Sequence, residues 1–255
     1  MSAHDQKDPG DRLFLIAESL AGDTSLFKGR PGDRTEALLD GLLSNAAVDE
    51  HCETLNELST DGYCEQCVAP AEAQGRASAR AVIELLGTKP RQVIDAGPLY
   101  AAEIELTFRK ETRQLGVLAQ NRESRNGVWS PEHHLQAATI VEQWSRRNLP
   151  ILTFMDTPGA DAEEAANRNN QAHSISRLIG TMSNLDVPTL GIVLGMGYSG
   201  GAIPLATTNL LLSVSDGVFS TIQPKGLASI ARKYDLSWQE CAKRVGVSAF
   251  ELCRQ

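Results

Sequence analysis

The chain of 255 residues has no apolar run approaching the roughly 20 residues that a bilayer-spanning helix needs. No membrane is expected in its working environment. Its first residues, MSAHDQKDPGDR, are polar where a secretory leader would be apolar, so a cytoplasmic location is expected. Lys and Arg are scattered and the net charge is −8, which argues against broad electrostatic capture of nucleic acid. An anionic ligand would therefore need local donors. The five cysteines are an odd set, Cys52, Cys64, Cys67, Cys241 and Cys253, and a chain this long does not fit a secreted disulfide scaffold. No Walker-type Gly-Lys-Ser/Thr run and no Ser-His-Asp signature occur.

What is present is the composition of an ordinary globular protein, 42% hydrophobic and 22% charged. The length suits one domain with an extension, and we divide it into an N-terminal leader and helical extension over residues 1–86 and a main domain over 87–255. Residues 1 to about 36 mix Asp, Gly, Lys and Pro around one short apolar run, LFLIAESLAG. From Arg34 to Leu58 apolar residues recur at three and four spacing, which predicts one amphipathic helix or a pair. A second helix is predicted over AEAQGRASARAVIELLG, ending at Gly87.

The pattern then changes. VIDAG, IELTF and LGVLAQN are short β-rich runs separated by turn residues. SPEHHLQAATIVEQWSRRN opens with Ser130 as cap and Pro131 at the first helical position, and feeds the buried-strand pattern PILTFMD. The unit repeats as a helix from about Ala162 to Leu185 leading into TLGIVLG, then as a helix SGGAIPLATTN leading into a strand LLLSVSDGVFST. Alternating strands and helices predict an α/β fold with a mixed or parallel sheet, whose ligand sites lie in loops after the strand C-termini.

Two such loops stand out. Asp156-Thr157-Pro158-Gly159-Ala160 follows ILTFM, and Asp156 there is expected to accept turn amides rather than act in catalysis. Gly195 to Ala202, GMGYSGGA, is expected to be a glycine-rich loop between a buried strand and an Ala-rich helix. Glycines let a backbone approach a ligand closely, and amides at a helix start are unpaired donors, so this turn suits charge building on a carbonyl oxygen. The Gly195, Gly197, Gly200 spacing also occurs in dinucleotide-binding loops. Against that reading, the strand lies late in the chain, and Asp216, near the required distance, sits in a Ser-Asp-Gly turn rather than at a strand end.

Other candidates have weaker geometry. Cys64 and Cys67 with His51 and Cys52 lack two well-spaced ligand pairs, so no metal site is expected. His133 and His134 point about 100° apart on a helix and are expected in surface or capping roles. His173 is expected on a solvated helix face. Tyr198 either stacks on a ligand ring or covers the helix start.

From about Pro131 to Ser229 the chain resembles the acetyl-CoA carboxylase carboxyltransferase α subunit, and more broadly the C-terminal half of acyl-CoA carboxyltransferases. PILTFMDTPGA, GMGYSGGA and FSTIQPKGLASI, the last ending in a Pro-x-Gly turn, match three of that family's segments in order and spacing. The resemblance implies a crotonase-like (ClpP/crotonase) ββα spiral and a biotin-dependent carboxyltransferase. It implies Gly200, Gly201 and Ala202 as oxyanion amides for the ureido carbonyl of carboxybiotin. Gly159, Ala160, Gly197 and Tyr198 would line the biotin pocket. The acyl-CoA thioester would be bound by a β-like partner subunit in a hetero-oligomer. With no Met-Lys biotinylation motif here, a separate biotin carboxyl carrier protein would present the cofactor.

The sequence departs from the family in three places. Ala160 to Glu164 is shortened and acidic, Lys225 stands where the family has Glu, and the family's basic stretch is not recovered in RKETRQLG. The chain also ends sooner than the family does, as expected of a truncated C-terminus, of one part of a longer polypeptide, or of a divergent subunit whose missing elements come from a partner. Two other functions are compatible with the residues: another crotonase-type enzyme such as a malonyl-thioester decarboxylase subunit, and a catalytically silent scaffold in a carboxyltransferase complex.

Overall fold

The computed structural model describes residues 45–86, 88–108 and 111–254. The expected leader, the first part of the helical stretch from Arg34, Gly87 and the start of RKETRQLG lie outside these residues. The described chain opens with α1 (Asn45–Glu57), α2 (Thr60–Tyr63), a π-helical turn (Cys64–Val68), α3 (Ala69–Glu72) and α4 (Ala79–Leu86). Three strands follow, β1 (Thr88–Ala96), β2 (Leu99–Phe108) and β3 (Glu111–Gln120). After α5 (Pro131–Arg146) come β4 (Ile151–Thr157), α6 (Glu164–Arg168), α7 (Gln171–Ser183), β5 (Thr189–Tyr198) and α8 (Ser199–Ala206). The chain continues through β6 (Leu210–Ser213), β7 (Val218–Ser220), α9 (Pro224–Ile230), α10 (Trp238–Val245) and α11 (Ala249–Arg254).

The sheet runs β1-β2-β3-β4-β5-β6, with β7 also paired to β5. The first three strands are antiparallel and everything from β3 onward is parallel. Both faces are covered. Ile151 and Met155 of β4 face a layer with Trp129, Ala137, Val141, Trp144, Leu178 and Met182, while Leu152 and Phe154 face Ala79, Ile83, Ile192 and Leu210. A strand alternating between two cores must be apolar throughout, which is why ILTFM reads as a continuous run. A third core joins the N-terminal helices to the far end of β5, with Leu55, Tyr63, Cys64, Cys67 and Val68 against Met196, Tyr198, Val218, Ala242 and Val247. Cys52 is also fully buried. No helix among the described residues is long and apolar enough to cross a membrane.

Several expected elements are broken. The helix predicted over residues 71–87 is two pieces, because Gly75 lies in a turn and helix α4 begins only after Ser78, whose Oγ accepts the Ala81 amide at 3.3 Å. In the interval the Arg76 guanidinium reaches the Leu194 carbonyl and Asp216, so tertiary partners override a helix-forming sequence. The helix expected from Ala162 to Leu185 is interrupted at Asn169 and Asn170. Asn170 takes φ 61°, a left-handed conformation that Asn tolerates better than most residues. LLLSVSDGVFST is not one strand: a turn closed by Gly217 N–H on Val214 O at 2.9 Å separates β6 from β7. Pro224-Lys225-Gly226 is the first turn of α9 instead of a free turn, with Pro at the position where its missing N–H costs nothing.

The helix expected from Ser130 is present as α5. Ser130 N–H donates to His133 Nδ1 at 3.0 Å, closing a capping box. His134 is not a surface residue: it is fully buried, bonded through Nδ1 to Ser130 O at 2.9 Å, and burial pushes its pKa down to about 4. It is therefore neutral at physiological pH, with Nδ1 protonated to suit the carbonyl acceptor.

Glu103 on β2 supplies an electrostatic clamp at the edge of the first core. It accepts Arg147 Nη2 at 3.0 Å and Trp144 Nε1 at 3.2 Å, and Arg91 lies 2.8 Å away. Arg147 first, opposed by burial and aided by Arg91 and Trp144, holds the carboxyl down at about 2. Because the folded value lies below the ordinary 4.5, the stabilisation is complete above that value and is lost as pH falls through about 2. Thermal melts from pH 7 to pH 2 are expected to show Glu103→Gln less stable at pH 7, with the gap to the wild type closing between pH 4.5 and about 2. A gap independent of pH would disprove the clamp.

Candidate active site

The site forms where β4 and β5 end side by side. All seven residues of β4 and all ten of β5 are buried, and at their C-terminal ends the chain leaves the core through Pro158 and Ser199, both half-buried. β4 ends at Thr157 and turns through Pro158 and Gly159. Thr157 Oγ1 donates to Gly159 O at 2.9 Å and lies 3.3 Å from Gly159 N, which closes the turn on itself. Gly159 has φ 144°, a region that an L side chain strains to occupy.

The expected glycine-rich loop is no loop. Gly195 to Tyr198 complete β5, and Ser199 to Ala202 begin α8 directly. The change of direction falls on Ser199, at φ 58°, a strained conformation for a residue with a Cβ. With Tyr198 as the N-cap, the amides of Gly200 and Gly201 precede any intrahelical acceptor, and Ala202 is the first residue with a carbonyl, that of Tyr198, one turn back. They carry the positive end of the α8 dipole. Gly159 is buried beside them, whereas Ala160, Ser199 and Gly200 are only half-buried, so this corner meets solvent. The Pro-Gly turn and the α8 turn touch: a Cβ placed on Gly201 would lie 2.4 Å from Gly159 C and 2.7 Å from Ala160 N.

Beneath the turn, the β4–β5 ladder slips. Met155 pairs with Val193 but Thr157 pairs with Gly197, so β5 carries extra residues opposite Asp156. A bulge leaves amides without ladder partners. Asp156 Oδ1 accepts one of them, Met196 N–H, at 3.1 Å, and Oδ2 accepts Arg122 Nη1 at 3.1 Å. The sequence pointed to turn amides as its partners, and the structure gives it a β5 amide and an arginine. Asp156 is fully buried, and burial raises its pKa against the opposing pull of Met196 N–H, Arg122 and Arg76. Arg122 also reaches Ala71 O and Glu72 O at 3.4 Å, tying α3 to the site.

Gln120, at the end of β3, is fully buried. Its Oε1 accepts Asp156 N–H at 3.2 Å and its Nε2 donates to Gly201 O at 2.7 Å. Sequence reasoning passed over Gln120 and Arg122; the one available signal was a polar Gln-Asn-Arg run at the end of an apolar strand.

The other expected residues fall at different distances from this corner. Gly197 Cα packs beside Phe219 and Val218 of β7. Tyr198 is fully buried in the third core under the helix start, its hydroxyl without a hydrogen-bond partner, and burial pushes its phenol pKa upward. His173 is exposed on α7. Asp161 is bound by Arg125 at 3.0 Å, so the two aspartates nearest the Pro-Gly turn each have an arginine. Asp216 sits in the turn between β6 and β7, held by Arg76 at 3.0 Å.

What this arrangement offers is a set of uncharged N–H groups at a helix start, half-buried at Gly200 and buried at Gly201 and Ala202, with Asp156 and Asp161 paired to arginines. It suits an oxygen on which charge develops.

The model of the family described as acetyl co-enzyme A carboxylase carboxyltransferase-like matches residues 112–255. The acetyl-coenzyme A carboxylase carboxyl transferase subunit alpha of Pelagibacter ubique is 35% identical over 141 residues, covering 55% of this chain and 38% of the relative. The subunit of the same name from Cereibacter sphaeroides is 36% identical over 141 residues, 55% of this chain and 44% of the relative. The chain thus spans less than half the length of these curated relatives. Among solved structures, the transcarboxylase 12S hexamer superposes with a TM-score of 0.63 at 14% identity, over 73% of this chain and 39% of that one. The beta subunit of geranyl-CoA carboxylase from P. aeruginosa gives 0.58 at 15% identity, over 73% and 38%. These likenesses place the fold as crotonase-like. With the family match running over more than half of its 255 residues and through both turns of the site, the chain belongs to the acetyl co-enzyme A carboxylase carboxyltransferase-like family.

Proposed function

We propose that this chain is an α-subunit-like module of a cytoplasmic biotin-dependent carboxyltransferase, working in a hetero-oligomer with a β-like subunit. Its part is to hold the ureido carbonyl of carboxybiotin, presented by a separate biotin carboxyl carrier protein, while an acyl-CoA thioester on the partner receives the carboxyl group. The observation that carries this reading is the direct passage from β5 into α8 at the left-handed Ser199, which sets the start of α8 against Gly159.

The donor set fits a ureido oxygen: three neutral amides at a helix start, no charged side chain on the turn itself, and Asp156 and Asp161 paired with arginines. Carboxybiotin supplies the transferable carboxyl group. The first turn of α8 stabilises negative charge as it builds on the carbonyl oxygen, a contribution of about 3–4 kcal/mol per donor in other oxyanion pockets. Gly159 and Ala160 line the opposite wall without a side chain long enough to block it. Gly197 and Tyr198 support the turn from below.

Carboxyl transfer from carboxybiotin to acetyl-, propionyl- and malonyl-type CoA thioesters, assayed with this chain alone and with copurified partners, tests the proposal. Transfer is expected only in the partner-containing assembly. Its absence from an intact assembly that holds both a β-like subunit and a biotinylated carrier would identify a non-catalytic subunit instead.

A further inference from the structure

We infer that Gln120 is a positioning residue of the carboxyl-transfer site: its buried side-chain amide ties the α8 donor turn to the end of β4 and fixes where the donors point. This rests on the reading of the α8 turn as an oxyanion pocket. One end of the Gln120 amide holds Asp156 N–H at 3.2 Å and the other holds Gly201 O at 2.7 Å. Gln120 is fully buried, so both bonds are made away from competing water.

The bond to Gly201 O has a specific geometric effect. That oxygen and Ala202 N–H are opposite ends of one planar peptide unit. Holding the oxygen fixes the direction in which the Ala202 amide points, and withdrawing electron density from the carbonyl makes that N–H a stronger donor. Gly201 lacks a side chain that could anchor the unit, and the adjoining Gly159 backbone only restricts it from one side. The far end of the bridge is equally firm. Asp156 is the residue whose carboxylate takes up the Met196 amide in the bulge, so a single residue of β4 receives both Gln120 and β5. Gln120 thus converts the register of β3, β4 and β5 into the orientation of the donor turn.

The test uses the assembled carboxyltransferase with two variants. Gln120→Met keeps the length and removes both bonds. Gln120→Glu keeps the acceptor for Asp156 N–H, and donates to Gly201 O only when protonated. For Gln120→Met, kcat of carboxyl transfer is expected to fall roughly 10- to 100-fold, the scale of a small misplacement of catalytic groups. KM for the acyl-CoA is expected to stay within about twofold, since that substrate lies on the partner. Hydrogen exchange of a peptide covering Ser199–Ala202 is expected to speed up, with peptides from the core of β2 unchanged. Gln120→Glu should regain activity relative to the wild type as pH is lowered and the glutamate becomes a donor, a profile that loss of packing would not produce. Unchanged exchange at Ser199–Ala202 in Gln120→Met, or a Gln120→Glu profile parallel to the wild type, overturns the role of Gln120. Faster exchange with undiminished transfer overturns the oxyanion reading beneath it, and the inference with it.

Discussion

Replacing Arg122 with Met is expected to destabilise the fold by about 3–5 kcal/mol at neutral pH, the cost of leaving one member of a buried ion pair without its partner. Arg122 and Asp156 are nearly inaccessible, at 5% and 0% exposure. Removing the guanidinium also frees the carbonyls of Ala71 and Glu72 that it reaches from below. The pH dependence identifies the cause. Burial already raises Asp156 above its ordinary value, so the folded state favours the protonated carboxyl. For a carboxyl raised in this way, stability falls as pH rises from the unfolded value through the folded one. Losing Arg122 removes one of the groups pulling that value back down, so the penalty is greatest at neutral pH and shrinks as acid protonates Asp156. Asp156→Asn in the Arg122→Met background is expected to recover part of the loss, because the Asn oxygen still accepts Met196 N–H while no charge remains buried. Urea unfolding at pH 7 and pH 5 on the single and double variants measures both effects. A loss below about 1 kcal/mol, equal at the two pH values, would show that the pair does not hold the end of β4.

The sequence was legible where a periodic pattern meets a stop signal. Helix α5 has its Ser-Pro start and feeds β4, and the uniformly buried, mostly apolar β4 and β5 are readable because both of their faces are covered. The pattern failed at glycine. GMGYSGGA carries almost no side-chain period, so nothing local says that its first half finishes a strand and its second half opens a helix. The break after Glu72 was hidden because it depends on what the segment packs against, and the break at Asn170 because it rests on a single left-handed residue inside an otherwise helical pattern. Within the site, the residues proposed as turn donors stood out in the sequence, but the groups that hold the turn did not. Gln120 reaches a carbonyl 81 positions away and Arg122 a carboxylate 34 positions away, and no local spacing encodes either. Tyr198 shows the opposite case, an obvious side chain in an obvious motif whose place is the third core.

Gly201→Ala is expected to cost about 3 kcal/mol in stability and most of the carboxyl-transfer activity of the assembly, while Gly200→Ala, one residue earlier, costs less than about 1 kcal/mol. The contrast is geometric. A Cβ on Gly201 meets Gly159 C at 2.4 Å, Gly159 O at 2.5 Å and Ala160 N at 2.7 Å, all backbone atoms that no rotamer change can move. A Cβ on Gly200 meets only the Ile175 side chain, its flexible end Cδ1 at 3.2 Å and Cγ2 at 3.8 Å. Gly201 is therefore the point of contact between the two turns, and widening it must separate the Pro-Gly turn from the α8 donors. Activity lost on substituting Gly201 alone would not distinguish a blocked oxyanion pocket from a displaced one. The pair of variants does, because an alanine at Gly200 leaves both turns in register and sets its methyl group against Ile175 at the half-buried corner. Gly200→Ala with normal thermal stability but raised KM for the biotinylated carrier would place carboxybiotin against that corner. If Gly201→Ala melts within a degree or so of Gly200→Ala, the two turns are not in contact in the folded protein, and the pocket built from both is wrong.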